Sequence, residues 1–361
     1  LRGDELKKYV ANGISTDHEF TTIEEAKEKI KAGMKVMIRH GSSAKNLKDL
    51  IGLDYDRCFL VTDDIHPDDL LNGHMNKIVQ KAIEYGVEPI KAIKMATLNP
   101  AEHYGLNIGS LEVGKKADIV EVTNLNKMDV SRVFIDGKLV AKDGKYLFKV
   151  TPKKIGTHIK IKEVKEKHFR IPCRGKEVGI CAIEIIANQI LTKKIKVILP
   201  VVNGEVMADI KQDAVKVAVV NRYGSNDIGI GFVKGFGMKR GAIATTIAHD
   251  SHNIIVIGVS NKKMADAVNI VAKNGGIVVV DEKVVKLELP IAGLMSCENA
   301  DKVASQLKNV FDYAQQLGCN KDAIRSLSFL SLLVIPEIRI SDKGIFDVAK
   351  QKFISVFVED K

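Results

Sequence analysis

The sequence has no tryptophan, and aromatic residues fill only 5% of its 361 positions. Platforms of stacked aromatics, on which single-stranded nucleic acids lay their bases, are therefore not evident. No apolar run approaches the ~18 residues needed to cross a bilayer as a helix. The opening residues, Leu1-Arg2-Gly3-Asp4-Glu5, carry no hydrophobic signal-peptide core. Cysteine is sparse: Cys58, Cys173, Cys181, Cys297 and Cys319 are odd in number and include no C-x-x-C pair. That argues against a disulfide framework and a zinc knuckle, and leaves isolated buried thiols in a reducing cytoplasm as the expectation. There is no internal repeat and no low-complexity tract.

What is present is ordinary for a soluble globular protein: 45% hydrophobic and 28% charged residues. Single cores stop growing near ~250–300 residues, so two or three domains are expected. The net charge is +10 and the pI about 9.1. Lysines are scattered among opposite charges, as in Glu163-Val164-Lys165-Glu166-Lys167, which reads as solvated surface and not as a nucleic-acid face. Leu1 is not an initiator, and the expectation is a chain that begins partway through a longer one.

Residues 1–105 alternate helix and strand. A helix is expected over Asp4–Ala11, then a short turn-and-strand from Gly13 to Glu19. Thr22-Ile23-Glu24-Glu25 has capping-box spacing, so a helix should run to about Ala32 and stop at Gly33. Val36-Met37-Ile38 reads as a strand ending at Arg39-His40-Gly41. Ser42-Ser43 then predicts a capped helix, Ala44–Leu50. Phe59-Leu60-Val61 is a strand ending at Thr62-Asp63-Asp64, and helices are expected over Asn76–Tyr85 and Pro89–Thr97. Alternation of this kind predicts parallel β/α units, whose chemistry sits at the carboxyl ends of the strands. Polar residues cluster there: Asp17, His18 and Glu19, then Arg39 and His40, then Asp63 and Asp64. Three strands do not close an eight-stranded barrel.

Residues 106–150 change character. Gly109–Asp118 leads into a strand over Ile119–Val122, and the Asp136-Gly137 turn predicts a hairpin between Val133–Ile135 and Lys138–Val140. Residues 151–165 read as a linker. A separate α+β domain is expected over 166–361. Its strands include 196–202, 215–220, 253–259 and 276–280, with a helix over Lys262–Lys273 from its apolar spacing.

Thr16-Asp17-His18-Glu19 sets an imidazole between carboxylates, ligand types that suit Zn, Fe or Mn, or equally a solvated loop. Thr62-Asp63-Asp64-Ile65-His66-Pro67-Asp68-Asp69 is denser. An Asp directly after a buried strand is placed to ligate a metal and take a proton from water; a decorated loop is the alternative. His249-Asp250-Ser251-His252 reads as a site or as domain packing. Gly229, Gly231, Gly235 and Gly237 lack the Gly-Lys-Ser/Thr of a phosphate loop, and backbone turns are the expected reason for them.

These segments together resemble adenine deaminases of the amidohydrolase superfamily. The resemblance runs through Gly13–Glu19, Met37–Asn46, Thr62–Leu71 and Met95–Ala101, and through Gly109–Asp118, which is similar to the start of a small β-sandwich. In the far domain it is carried by Gly231–Gly237, Ile247–Asn253, Leu289–Ser296 and Leu327–Leu330. It implies an α/β fold: the C-terminal part of a (β/α)8 barrel over 1–105, a β-sandwich segment over 106–150 and a C-terminal α+β domain over 166–361.

The implied reaction is hydrolysis of adenine to hypoxanthine and ammonia in purine salvage, with one or two Mn2+ ions, or Fe2+ or Zn2+, per complete site. His18 matches a late histidine ligand, and Asp63 the final aspartate that holds metal and shuttles protons. Glu19, Arg39, Asp64, His66, His249, Asp250 and His252 are implied as substrate-closing or additional site residues. The remaining ligands of the family have no counterpart in this sequence, which predicts weak metal binding by this chain alone. At His40 the family usually has Glu, which puts that residue's role in doubt. The family also implies a homo-oligomer, and the composition predicts no membrane or nucleic-acid partner. Two rivals stand beside this reading: an amidohydrolase acting on another cyclic amidine or amide, and a non-catalytic remnant or subunit.

Overall fold

Helix α1 (Gly3–Ala11) precedes a two-residue strand, β1 (Thr16–Asp17). Helix α2 (Ile23–Lys31) starts at an extended Thr22 whose hydroxyl accepts the Glu25 N–H at 3.3 Å. The Glu25 carboxylate turns to Lys29 at 3.1 Å instead of completing the capping box. Gly33, at φ 95°, takes the left-handed conformation that lets the chain leave the helix. Strands β2 (Lys35–Arg39) and β3 (Cys58–Val61) then complete a parallel sheet in the order β1-β2-β3. Its register runs from Val36 opposite Cys58 to Arg39 opposite Val61. Parallel pairing brings the carboxyl ends of all three strands to one edge. The computed structural model describes residues 1–42, 44–151, 156, 159–186 and 190–358, the side chains of 321–323 aside.

The expected helix over Ala44–Leu50 does not form. Only a 3-10 turn, Leu47–Leu50, is present. The Gly41 N–H donates to the Ala44 carbonyl, and His40 pairs with Lys45, so the backbone of this segment is committed to a tight reversal. Ser42 does not cap a helix: its hydroxyl donates to Asp69 at 2.6 Å and accepts the His66 N–H at 2.8 Å. Ser43 lies outside the described residues.

Helices α3 (Pro67–Leu70), α4 (Met75–Glu84), α5 (Pro89–Ala96) and α6 (Leu98–His103) follow. Phe20, Val36, Ile38, Leu60, Ile78, Val79 and Met95 share one core between the sheet and these helices. An antiparallel sheet, β4 (Ile119–Val122), β5 (Val130–Ile135), β6 (Lys138–Lys142) and β7 (Lys145–Tyr146), closes the first compact unit, Leu1–Thr151. Asp136 (φ 51°) and Gly137 (φ 75°) are both left-handed, as the tight hairpin requires.

The second unit, Pro152–Lys361, is built on a nine-stranded sheet. Much of the expected linker, 152–155 and 157–158, lies outside the described residues. The strands are β8 (Glu177–Ile185), β9 (Thr192–Val202), β10 (Glu205–Val206), β11 (Ala214–Val220), β12 (Ile228–Lys234), β13 (Ala242–Thr245), β14 (Ile254–Gly258), β15 (Gly276–Val280) and β16 (Val284–Glu288). Their spatial order is β10-β9-β8-β12-β11-β14-β13-β15-β16, antiparallel except between β8 and β12.

Strand β11 is buried along its whole length. Its period of two divides it between two cores. Val215, Val217 and Val219 join the core of helix α8 (Ala300–Gln316), while Ala218 and Val220 join that of helix α7 (Asn261–Asn274). Met264, Ala267, Val268 and Val271 supply the inner stripe of α7, and Ser260 caps it by accepting the Lys263 N–H. Helix α9 (Lys321–Ser326) and a meander, β17 (Ile338–Ser341), β18 (Gly344–Asp347) and β19 (Lys352–Ile354), complete the unit.

Two of the four glycines expected to serve turns do something else. Gly229 and Gly231 lie within β12, where a Cβ would sit 1.9 Å from the Ser341 carbonyl oxygen and 2.4 Å from Ile345 Cδ1. The meander crosses the sheet there, and only glycine leaves it room. Gly235 and Gly237 are left-handed turn residues.

Candidate active site

Four charged side chains meet at the carboxyl ends of β1, β2 and β3. His18 Nε2 lies 3.3 Å from Glu19 Oε1. Both Glu19 oxygens accept from the Arg39 guanidinium at 3.2 Å, and Arg39 Nη1 also donates to Asp63 Oδ2 at 2.8 Å. The result is one continuous chain of contacts, His18–Glu19–Arg39–Asp63. Arg39 is buried, whereas His18 and Glu19 are half exposed.

Each member is held by its own local structure. Asp17 Oδ1 accepts the Glu19 N–H at 2.6 Å, which shapes the turn after β1. Asp17 Oδ2 meets Lys29 at 3.1 Å, and Lys29 also pairs with Glu25. Lys29 is fully buried, and its ammonium survives there because two carboxylates face it. Asp63 is left-handed at φ 58°, a conformation Asp tolerates better than most residues, and its Oδ1 accepts the Asp64 N–H at 2.8 Å. The loops after β2 and β3 touch directly: His40 N–H donates to the Val61 carbonyl and Ser42 N–H to the Asp64 carbonyl. A Cβ on Gly41 would lie 2.2 Å from the Thr62 carbonyl oxygen.

The electrostatics follow the geometry. The hydrogen bond from His18, reinforced by Arg39, holds the Glu19 carboxyl down at about 2. The same bond to Glu19 raises the His18 imidazole, against the opposing effect of its partial burial. Glu19 is thus held between His18 and the Arg39 guanidinium, and Asp63 is steered by the same guanidinium.

Imidazole nitrogen and carboxylate oxygen are the right donor types for a divalent first-row metal. Their number is insufficient. Among the described residues no group of three or more His, Cys, Asp or Glu side chains could hold a metal ion. His18 faces Glu19, and both Asp63 oxygens already accept hydrogen bonds. These residues therefore fit a metal as contributors and do not complete a site.

His249, Asp250 and His252 lie in the second unit, between β13 and β14. The His249 ring stacks on Phe329 at 4.7 Å, the residue's backbone N–H donates to the Ser328 carbonyl and its carbonyl accepts from Ser331. His252 is left-handed at φ 51°; burial, then His249 and Arg222, push its pKa down. Buried Arg222 donates through Nη2 to the Ala292 carbonyl at 2.7 Å, while its Nε and Nη1 have no hydrogen-bond partner among the described residues. Lys29, the Ser42–Asp69 clamp and Arg222 were not singled out from sequence. For Lys29 a signal existed: it falls three residues after Ala26, on the helix face that turns inward.

The residues 189–352 match the model of the adenine deaminase C-terminal domain, and residues 1–140 match that of the amidohydrolase family. An adenine deaminase of Methanothermobacter thermautotrophicus is 45% identical over 361 residues, 97% of this chain and 66% of that protein. One of Methanosphaera stadtmanae is 42% identical, over all of this chain and 67% of that protein. The chain belongs to the adenine deaminase family. It spans about two thirds of the length of these relatives. Among solved structures, a β-aspartyl dipeptidase of Fervidobacterium islandicum aligns at 21% identity and a TM-score of 0.30, over 36% of this chain and 38% of that one. An α/β fold and the use of divalent metals accord with the amidohydrolase superfamily that holds the adenine deaminase family. No helix among the described residues is long and apolar enough to cross a membrane.

Proposed function

We propose that this chain contributes the His18–Asp63 side of an adenine deaminase active site, where adenine and water give hypoxanthine and ammonia. One conjunction carries the reading. A chain with the adenine deaminase C-terminal domain also sets an imidazole, a glutamate, a guanidinium and an aspartate in one chain of contacts at parallel strand ends. In this reading the sheet β1-β2-β3 is part of a (β/α)8 barrel over 1–105, 106–150 is its β-sandwich segment and 166–361 is the C-terminal domain.

Asp63 takes the proton of the attacking water and returns it to the departing amine at C6 of the purine. Arg39 orients that carboxylate, and Glu19 holds Arg39 and His18 in register. His18 and Asp63 are this chain's donors to a divalent ion, Mn2+ first, with Fe2+ and Zn2+ as alternatives. The chemistry such an ion supplies is a water that ionises near neutral pH. Asp64 and His66 sit on the same loop as Asp63. Five free cysteines suit a cytoplasmic place in purine salvage.

The test is an assay with adenine and Mn2+, following hypoxanthine and ammonia, of this chain joined to the third of its relatives' length that it does not cover. Asp63→Asn should lower the rate by about 10³-fold. Turnover of another cyclic amidine with adenine untouched would favour the rival amidohydrolase. No turnover of either, with partner capture instead, would favour a non-catalytic subunit.

A further inference from the structure

Beyond Arg39 the chain borders a cleft of 490 Å³ in the first unit. Five basic side chains line it: His40, Lys45, His74, Lys77 and Lys81. The two carboxylates in its wall are engaged. Asp69 accepts from Ser42 at 2.6 Å; Glu84 accepts from Gln80 at 2.9 Å and lies 3.6 Å from Lys81. Lys77 donates to the neutral Gln80, and no carboxylate pairs with Lys45 or Lys77 among the described residues. The cleft therefore keeps an excess of positive charge.

His40 sharpens the picture. Its ring is half-buried, its Nδ1 is buried with no hydrogen-bond partner among the described residues, and burial with Lys45 and Lys81 lowers its pKa. A neutral imidazole there still offers one N–H to an oxyanion. The positive end of α4 adds to the field, since Gly73 and His74 at its start form part of the wall.

We propose that this cleft binds a phosphate monoester, with its oxyanion held by Lys45, Lys81 and His40 and its organic body against Ile65 and Ile78. A monoester carries about −1.5 to −2 charge at neutral pH, which suits several lysines better than a single carboxylate does. The volume falls within the ~300–1,000 Å³ of small-molecule sites, and a bare ion would leave most of it empty.

Calorimetric titration of the chain with a nucleoside monophosphate, inorganic phosphate and the uncharged nucleoside tests this. The monophosphate should bind, more weakly as salt rises; inorganic phosphate should bind less tightly, and the nucleoside should not bind. Lys45→Met with Lys81→Met should weaken binding about tenfold or more, and His40→Glu should do the same. Lys302→Met, in the second unit, should leave it unchanged, with circular dichroism confirming that each variant folds. Both lysines are solvent-facing, so they remain informative if His40→Glu fails to fold. Equal weakening by Lys302→Met, tight binding of the nucleoside, or no binding of the monophosphate overturns the proposal. Inorganic phosphate binding as tightly as the monophosphate overturns the part assigned to the organic body.

Discussion

The Arg39 guanidinium donates to the Asp63 carboxylate at 2.8 Å across 24 residues of sequence, tying the end of β2 to the loop after β3. Glu19 in turn bridges Arg39 and His18. Replacing Arg39 with Met should strip Asp63 of its guanidinium and leave Glu19 with His18 alone. The expected loss is about 2 kcal/mol, below the ~3–5 of a fully buried pair because Glu19 is half exposed. Arg39→Lys keeps the charge but not the fork, and should recover only part of the loss. Urea unfolding of the three proteins measures the difference.

Gly41 is expected to be intolerant of any side chain. Its Cβ would meet two backbone oxygens, those of Thr62 at 2.2 Å and Asp64 at 2.6 Å, and neither can rotate away. Gly41→Ala should cost about 3 kcal/mol and displace the Asp63 loop. Gly86→Ala is the control: it is strained at φ 97° but meets nothing within 4 Å, and should cost only about 1 kcal/mol. Equal effects would refute the steric argument.

Alkaline stability of the first unit should report Cys58. Burial pushes this thiol up to about 12 from an ordinary value of 9.0. The unfolded chain then loses its proton first, so the folded state binds more protons between those values. Stability is intact below pH 9 and falls as pH rises toward 12, by about 1.4 kcal/mol per pH unit from this group. Cys58→Ala, although less stable at pH 7, should show a shallower decline in denaturant midpoint over that range.

In the second unit, Arg339 is fully buried with no carboxylate paired to it among the described residues, and burial lowers its pKa to about 10. It donates to the carbonyls of Ile190 and Ile335 at 2.6 Å, Pro336 at 3.1 Å and Phe329 at 3.2 Å. Arg339→Met should strand these acceptors and destabilise the unit by about 4 kcal/mol, read from its thermal transition. Arg339→Lys, a single ammonium, should rescue only a fraction.

Elements whose apolar period and end chemistry agree were legible in the sequence. Thr22 and Gly33 bracket α2, Asp136-Gly137 marks its hairpin, and the stripe of Met264, Ala267, Val268 and Val271 gives α7. The segment after Gly41 misled, because Ser42 has a tertiary partner in Asp69 that outcompetes a helix cap. Strand β12 was hidden by glycines whose purpose, close passage of the meander, is set by distant residues. In the site, the polar residues after each strand were visible as candidates, yet nothing local encodes that Arg39 would take Asp63 or that Lys29 would hold Asp17. Long-range charge pairing leaves no periodic trace in a sequence.

The nine-stranded sheet is fastened by residues made long after its first strands. Thr192 donates its hydroxyl to the Ile338 carbonyl, the Cys181 N–H reaches the Val356 carbonyl, and the Val358 N–H reaches Gly179. A nascent chain that has emerged only as far as Leu330 holds β8 and β9 without these anchors. These anchors form only once translation has delivered residues 338–358, so their contribution to the sheet comes late in synthesis.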